Sequence, residues 1–313
     1  MDEFTFRSSN KHNMIHGVIW KPEGEIRAIL QISHGMIEYI ERYADFAEYL
    51  NKYGILVIGN DHLGHGKSVL TEEEWGYFDD KNGGTLLVRD LLTVTKLIKS
   101  ELPGIPVFLL GHSMGSFMAR RYLINFGDYI DGAIIMGTGN PSSVSLSAGR
   151  MMTATLAKLH GGHYRSDAVN KMAFGSYNKR IANPQSPNAW LTRDEEIVKK
   201  YDSTPENTFK FTVSGFNQIF ETIQYIENPK LIDKIPKNIP ILLISGEEDP
   251  VGGYGKEVQK VYEALDKAGI DDLTIELVEG ARHEVLNEIN KEETYKYILD
   301  WIEAHRMREK HGS

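Results

Sequence analysis

The chain alternates short apolar runs with longer stretches in which apolar residues recur every three or four positions. The short runs are residues 15–20, 28–33 (AILQIS), 55–60 (ILVIGN), 107–110 (VFLL), 132–137 (GAIIMG), 241–245 (ILLIS) and 273–278 (LTIELV). From Ala28 onward they are nearly continuous in apolar residues, the pattern of strands buried on both faces of a parallel sheet. Residues 41–52, 86–102, 114–126, 256–268 and 292–306 carry the i, i+3, i+4 spacing of helices with one apolar face. Strand–helix alternation of this kind predicts an α/β fold: one mostly parallel central sheet with helices on both faces.

The rhythm breaks between residues 140 and 236, where no buried strand can be read. This stretch holds Met151-Met152, His160-Gly-Gly-His163, Phe174, Tyr177, Trp190, Phe209, Phe211 and Phe216. An interruption this long is usually functional or a subdomain. It predicts a mostly helical cap, residues 140–236, inserted into a core made of residues 1–139 and 237–313. Residues 141–215 carry ten Lys and Arg against six Asp and Glu. A basic cap could favour anionic substrates; solvated helix faces are the preferred reading.

Composition changes the picture by exclusion. The 313 residues are 41% hydrophobic and 25% charged, enough apolar material for a full core. A formal net charge of −9 argues against a nucleic-acid partner, which would need basic patches to neutralise phosphates. The chain has no cysteine, which removes disulfides, thiolate nucleophiles and cysteine zinc sites. That fits a reducing compartment, and a cytoplasmic location is expected. Residues 1–10 lack the apolar region of a signal peptide, and no run approaches the ~18 apolar residues of a membrane span. Gly312-Ser313 reads as a cloning remnant.

The chemistry centres on Gly111-His112-Ser113-Met114-Gly115, a G-x-S-x-G set directly after one predicted strand and directly before a predicted helix. This is the context of a nucleophile elbow, where the serine occupies a strained turn and flanking glycines allow close backbone approach. A serine hydroxyl needs a base, and the base an orienting acid, expected in the order Ser, acid, His. His283, just past the last predicted strand, is the expected base; His34, His62, His65, His160 and His163 are the competitors. His112 adjoins the serine, but its side chain is expected to point away from it. Glu247, Glu248 and Asp249 compete as the acid. Asp249 is favoured because Pro250 restricts its backbone to extended conformations. His34-Gly35-Met36 follows an early strand and can present a backbone N–H to an oxyanion, with a second from Met114. Asp61, His62 and His65 lie in a glycine-rich patch read as a structural turn. A metal site from His160 and His163 is not expected, nor any cofactor.

Several segments together resemble the monoacylglycerol lipase and lysophospholipase group of serine α/β-hydrolases. They are His34-Gly-Met-Ile-Glu38 with Arg42-Tyr43, Asp61-His-Leu-Gly-His-Gly-Lys-Ser68, residues 106–115, residues 245–251 and residues 279–283. They span nearly the whole chain in the family's order and spacing. The resemblance implies an α/β-hydrolase fold, Ser113, Asp249 and His283 as the triad, and Met36 and Met114 as the oxyanion donors. Two departures stand out: Tyr39 where the family often has histidine, and Ser116 where it usually has a second glycine. Neither touches the triad.

The expected function is therefore a cofactor-independent serine esterase that cleaves an acyl ester of glycerol or a glycerophospholipid. Met151 and Phe174 of the cap, with Gly35 and His112, are expected to contact the substrate; the alternative for the apolar residues is the cap's own small core. A small carboxylesterase, a thioesterase or an aminopeptidase-like hydrolase would use the same triad. A non-catalytic ligand-binding module is the remaining class, and the complete set of motifs argues against it. Stable membrane insertion is not expected, though the cap could touch a lipid surface transiently; oligomeric state is left open.

Overall fold

The computed structural model describes residues 1–307; Gly312-Ser313 lie outside the described residues. Eight strands form one sheet: β1 (Asp2–Arg7), β2 (Met14–Trp20), β3 (Ala28–Ser33), β4 (Ile55–Asn60), β5 (Val107–His112), β6 (Gly132–Met136), β7 (Ile241–Gly246) and β8 (Leu273–Val278). Their order across the sheet is β1-β2-β4-β3-β5-β6-β7-β8. β1 pairs with β2, and β2 with β4, antiparallel; every later pairing is parallel. The expected mostly parallel α/β sheet is present.

The helices are α1 (Ala44–Asn51), α2 (Gly83–Glu101), α3 (Met114–Phe126), α4 (Ser143–His160), α5 (Asp167–Phe174), α6 (Glu195–Ser203), α7 (Val213–Ile226), α8 (Pro229–Ile232), α9 (Lys256–Lys267) and α10 (Lys291–His305). Period-two alternation sends strand residues to opposite layers. Ile29, Val107, Leu109, Ile241 and Leu243 join the layer that holds α2, α3 and α9. Their neighbours Leu30, Phe108, Leu110, Leu242 and Ile244 join the layer that holds α1 and α10. Both layers are apolar, which is why these strands read as unbroken hydrophobic runs.

Three expectations need correction. β1 has no counterpart in the sequence reading: it is an edge strand whose only large apolar residues, besides Met1 before it, are Phe4 and Phe6, so it lacks a buried-strand signature. β8 was expected to be buried on both faces. It closes the other edge and is only partly covered, with Leu277 39% exposed. The helix expected over 41–52 begins as a 3-10 turn, Ile40–Tyr43, before α1.

Between β6 and β7 the chain forms α4 to α8 and no strand. Its last long helix, α7, buries Phe216, Ile219 and Ile223 in the same apolar cluster as α2 and α3. Trp190, Leu191 and Tyr201 form a separate small cluster.

Candidate active site

Ser113 stands between β5 and α3 with φ +54° and ψ −118°. A non-glycine residue there is strained, which is the elbow geometry the motif predicts. The flanking glycines are obligatory on steric grounds. A Cβ on Gly115 would lie 1.9 Å from the Ser33 carbonyl oxygen, and one on Gly111 2.3 Å from the Gly115 carbonyl oxygen. The Ser113 N–H donates to Met136 O at 2.9 Å, tying the turn to β6.

His283 lies in the loop after β8, and its Nδ1 is 3.0 Å from both carboxylate oxygens of Asp249. An ionised carboxylate only accepts, so Nδ1 carries the proton and Nε2 is left as an acceptor. Asp249 is fully buried in the loop after β7. It also accepts from Ser245 Oγ at 3.0 Å and from the Val251 N–H at 2.8 Å. Glu247 and Glu248, its competitors, are both exposed. Ser113 and His283 line one cavity of about 1330 Å³, together with Gly35, Met36, His112, Met114 and Phe174. Met151 is not among the lining residues: it is 71% exposed on α4, so its expected substrate contact is corrected. Its helical spacing put it on a plausible apolar face, but that face looks outward.

The turn after β3 holds a second strained residue. Ile37, β-branched, has φ +57°. Such a conformation costs on the order of 1–3 kcal/mol and persists where the surroundings over-determine it. The Glu38 carboxylate accepts the Gly35 N–H through Oε1, and Tyr43 OH donates to the same oxygen at 3.0 Å. His112 turns its Nδ1 to that oxygen as well, at 3.1 Å. Arg42 donates to Glu38 Oε2 at 2.8 Å and forks onto both oxygens of Glu284 at 2.7 Å. Burial alone would raise the Glu38 pKa, but the His112 hydrogen bond and the Arg42 charge hold it well below the carboxylate range. Burial alone would likewise lower that of His112, and the Glu38 hydrogen bond outweighs it, leaving it raised. The ring of His112 is directed at Glu38 and Tyr43 on one edge and lies 4.8 Å from that of His283, tilted by 41°.

Residues of the inserted segment close around the base. The Trp190 ring lies 5.0 Å from that of His283, and the Glu284 N–H donates to Leu191 O at 2.7 Å. The Tyr201 hydroxyl donates to Ile37 O at 2.8 Å, and Arg42 lies over the Tyr201 ring at 4.9 Å. Sequence reasoning assigned no site role to Trp190, Tyr201, Arg42, Glu38 or Glu284. Glu38 and Arg42 stood inside the motif segments that carry the resemblance. Nothing local in the sequence marks Trp190 or Tyr201.

The competing histidines have other duties. His34 Nδ1 donates to Gly35 O at 2.8 Å, and its Nε2 accepts the His62 N–H at 2.9 Å. His65 packs among Phe78, Phe209 and Phe211, and burial pushes its pKa down to about 3. Asp61 accepts from His16 Nδ1 and from the Ile40 and Lys67 N–H groups at 2.8–2.9 Å, which makes the glycine-rich patch the structural turn expected. His160 and His163 are exposed and stack on Tyr164 and Tyr77. Among the described residues one trio of side chains is close enough to share a metal ion, Glu3, His16 and Glu41. It does not line the cavity, and the Lys67 ammonium already bridges its two carboxylates at 3.0 and 2.8 Å.

The sheet order, the strained serine after β5 and the cavity over the strand ends define an α/β hydrolase. The chain belongs to the family described as Serine aminopeptidase, S33, which matches residues 24–290. It is 29% identical to a monoglyceride lipase homolog of monkeypox virus, over 93% of this chain and 95% of that one. It is 27% identical to the monoglyceride lipase of Rattus norvegicus, over 92% of this chain and 86% of that one. A solved carboxyl esterase from Bacillus coagulans, in complex with glycerol, superposes with a TM-score of 0.91 at 29% identity, covering 98% and 99% of the two chains. The resemblance drawn from the motifs holds, and the chain is a carboxylic ester hydrolase of the α/β-hydrolase fold. Among the described residues no helix is long and apolar enough to cross a membrane.

Proposed function

We propose that this protein is a serine hydrolase that releases a long acyl chain from glycerol or from a lysophospholipid through an acyl-enzyme. The cavity carries this reading. At about 1330 Å³ it exceeds the ~300–1,000 Å³ of ordinary small-ligand sites. Leu146, Phe174, Phe216, Ile219, Phe220 and Ile223 give it an apolar wall suited to an alkyl chain. All but Phe174, which sits at the end of α5, come from α4 and α7, so residues 140–236 act as the cap that shapes the acyl site.

In this mechanism Ser113 Oγ attacks the ester carbonyl while His283 Nε2 takes its proton. Asp249 holds the Nδ1–H and stabilises the imidazolium. The Met36 and Met114 N–H groups receive the oxyanion. The tetrahedral intermediate collapses, His283 protonates the departing alcohol, and the acyl group stays on Ser113. Water, deprotonated by His283, then frees the carboxylic acid. No step calls for a cofactor. The cap's outward apolar residues, Val144, Met151 and Leu159, are 77%, 71% and 69% exposed and give it a means of touching a lipid surface. The absence of cysteine fits a cytoplasmic setting.

The test is kcat/KM for glycerol esters from acetyl to palmitoyl, with Ser113→Ala alongside. Rising values toward long chains, abolished in the variant, are expected. A maximum at two to four carbons would replace the lipid reading with that of a small-ester hydrolase.

A further inference from the structure

The oxyanion turn of the core is held from two sides. On one side stands the buried network of Glu38, Arg42, Glu284, His112 and Tyr43, which fixes the Gly35 N–H. On the other, reaching in from the inserted segment, stands the Tyr201 hydroxyl, at 2.8 Å from Ile37 O. Tyr201 belongs to α6, which apart from it buries only Val198. The peptide between these two holds is the left-handed one at Ile37, next in the chain to Met36. Released from either side, a β-branched residue returns to negative φ. The Met36–Ile37 peptide turns with it and displaces the adjoining Gly35–Met36 peptide, which carries the Met36 N–H and is held through its carbonyl by His34 Nδ1 at 2.8 Å.

We propose that Tyr201 is a positioning residue, whose hydroxyl holds the Ile37 carbonyl and thereby aims the Met36 N–H at the oxyanion; this rests on the acyl-enzyme reading above. The inserted segment then does more than enclose the acyl chain. It completes the catalytic turn of the core with one hydrogen bond. Arg42 ties the two holds together, since it faces the Tyr201 ring while bonding Glu38 and Glu284.

The experiment compares wild type, Tyr201→Phe, Ile37→Gly and the double variant. Rates on p-nitrophenyl butyrate and on a long-chain glycerol ester are expressed per site titrated with a fluorophosphonate, so that unfolded molecules do not count. Tyr201→Phe keeps the ring over Arg42 and removes only the hydroxyl. The expected result is a 10- to 100-fold fall in kcat on both esters with KM within twofold. Affinity for a trifluoromethyl ketone, which forms an oxyanion adduct, should fall in parallel. Glycine adopts positive φ without strain, so in the Ile37→Gly background the loss of the hydroxyl should cost less than threefold. A raised KM with unchanged kcat would make Tyr201 a substrate contact and overturn the proposal. So would an equal loss in both backgrounds. Failure of the fluorophosphonate to label wild-type Ser113 would overturn the acyl-enzyme reading itself and this proposal with it; labelling with uncoupled variants would overturn the proposal alone.

Discussion

Replacing Asp249 by asparagine tests the acid with almost no change of shape. Three donors converge on this buried carboxylate: Ser245 Oγ–H, the Val251 N–H and His283 Nδ1–H. The Val251 N–H is backbone and cannot turn away, so the single amide oxygen of asparagine belongs opposite it. The amide nitrogen then takes the place of Oδ2. Ser245 adapts by rotating its hydroxyl to accept. His283 Nδ1 is 3.0 Å from both oxygen positions; where it faces the amide nitrogen it gives up the Nδ1 proton, which moves the proton to Nε2 and leaves nothing to receive that of Ser113. The charge is lost as well. A unit pair about 4 Å apart is worth ~4 kcal/mol at an effective dielectric near 20. At 1.36 kcal/mol per decade that is ~10³ in kcat. With the tautomer error added, the expected loss approaches the ~10⁴ known for a serine-triad aspartate. The assay is pre-steady-state turnover of a p-nitrophenyl ester, with thermal melting as the check on folding. An Asp249→Asn enzyme retaining a tenth of wild-type kcat, alongside an inactive Glu247→Gln or Glu248→Gln, would refute the assignment.

Gly115→Ala should fail at the level of folding as well as turnover, because its Cβ meets the Ser33 and His34 carbonyl groups, which are backbone; recovery of a soluble enzyme with normal activity would contradict the elbow geometry. Acid stability should depend on His65. Its folded pKa of about 3 lies below the ordinary histidine value, so between roughly pH 6.5 and 3 the unfolded chain binds a proton that the folded one does not. Stability therefore falls as the pH is lowered through that window, by up to ~1.4 kcal/mol per unit from this group. His65→Leu should flatten the slope of unfolding free energy against pH by about one proton, measured by urea titration at pH 6 and pH 4.5. Converting Val144, Met151 and Leu159 to serine should leave hydrolysis of a soluble short ester within twofold and weaken partitioning onto lipid vesicles; an equal effect on both would place these side chains in the catalytic cycle.

The parallel sheet and the elbow were legible because each leaves a local trace. β3 to β7 are buried on both faces and read as continuous apolar runs, and the Gly111–Gly115 spacing reflects contacts under 2.5 Å to backbone. His283 and Asp249 were legible because each follows a strand end. β1 was not, since an edge strand needs few apolar residues. Met151 was misplaced because helical periodicity gives a face but not what the face looks toward. The network around Glu38 was legible only in part, as its members are scattered over residues 38, 42, 43, 112 and 284, and only the fold brings them together. Arg42 in a sequence is a surface charge by default; here it is enclosed by two carboxylates and a ring.

The sharing of α7 between the inserted segment and the main apolar cluster decides how this protein could be recombined with its relatives. A chimera that exchanged residues 140–236 as a block would remove Phe216, Ile219 and Ile223 from the layer they share with α2 and α3. The recipient would lose part of its core packing together with α4 to α6. Crossovers placed before Ser143 and after Ser203 would keep α7 in place, but Leu146 of α4 and Val169 of α5 belong to the same cluster, so the incoming helices would have to fit α7. The seam therefore runs along α7 itself: whatever replaces α4 and α5 has to present apolar side chains where Leu146 and Val169 now stand.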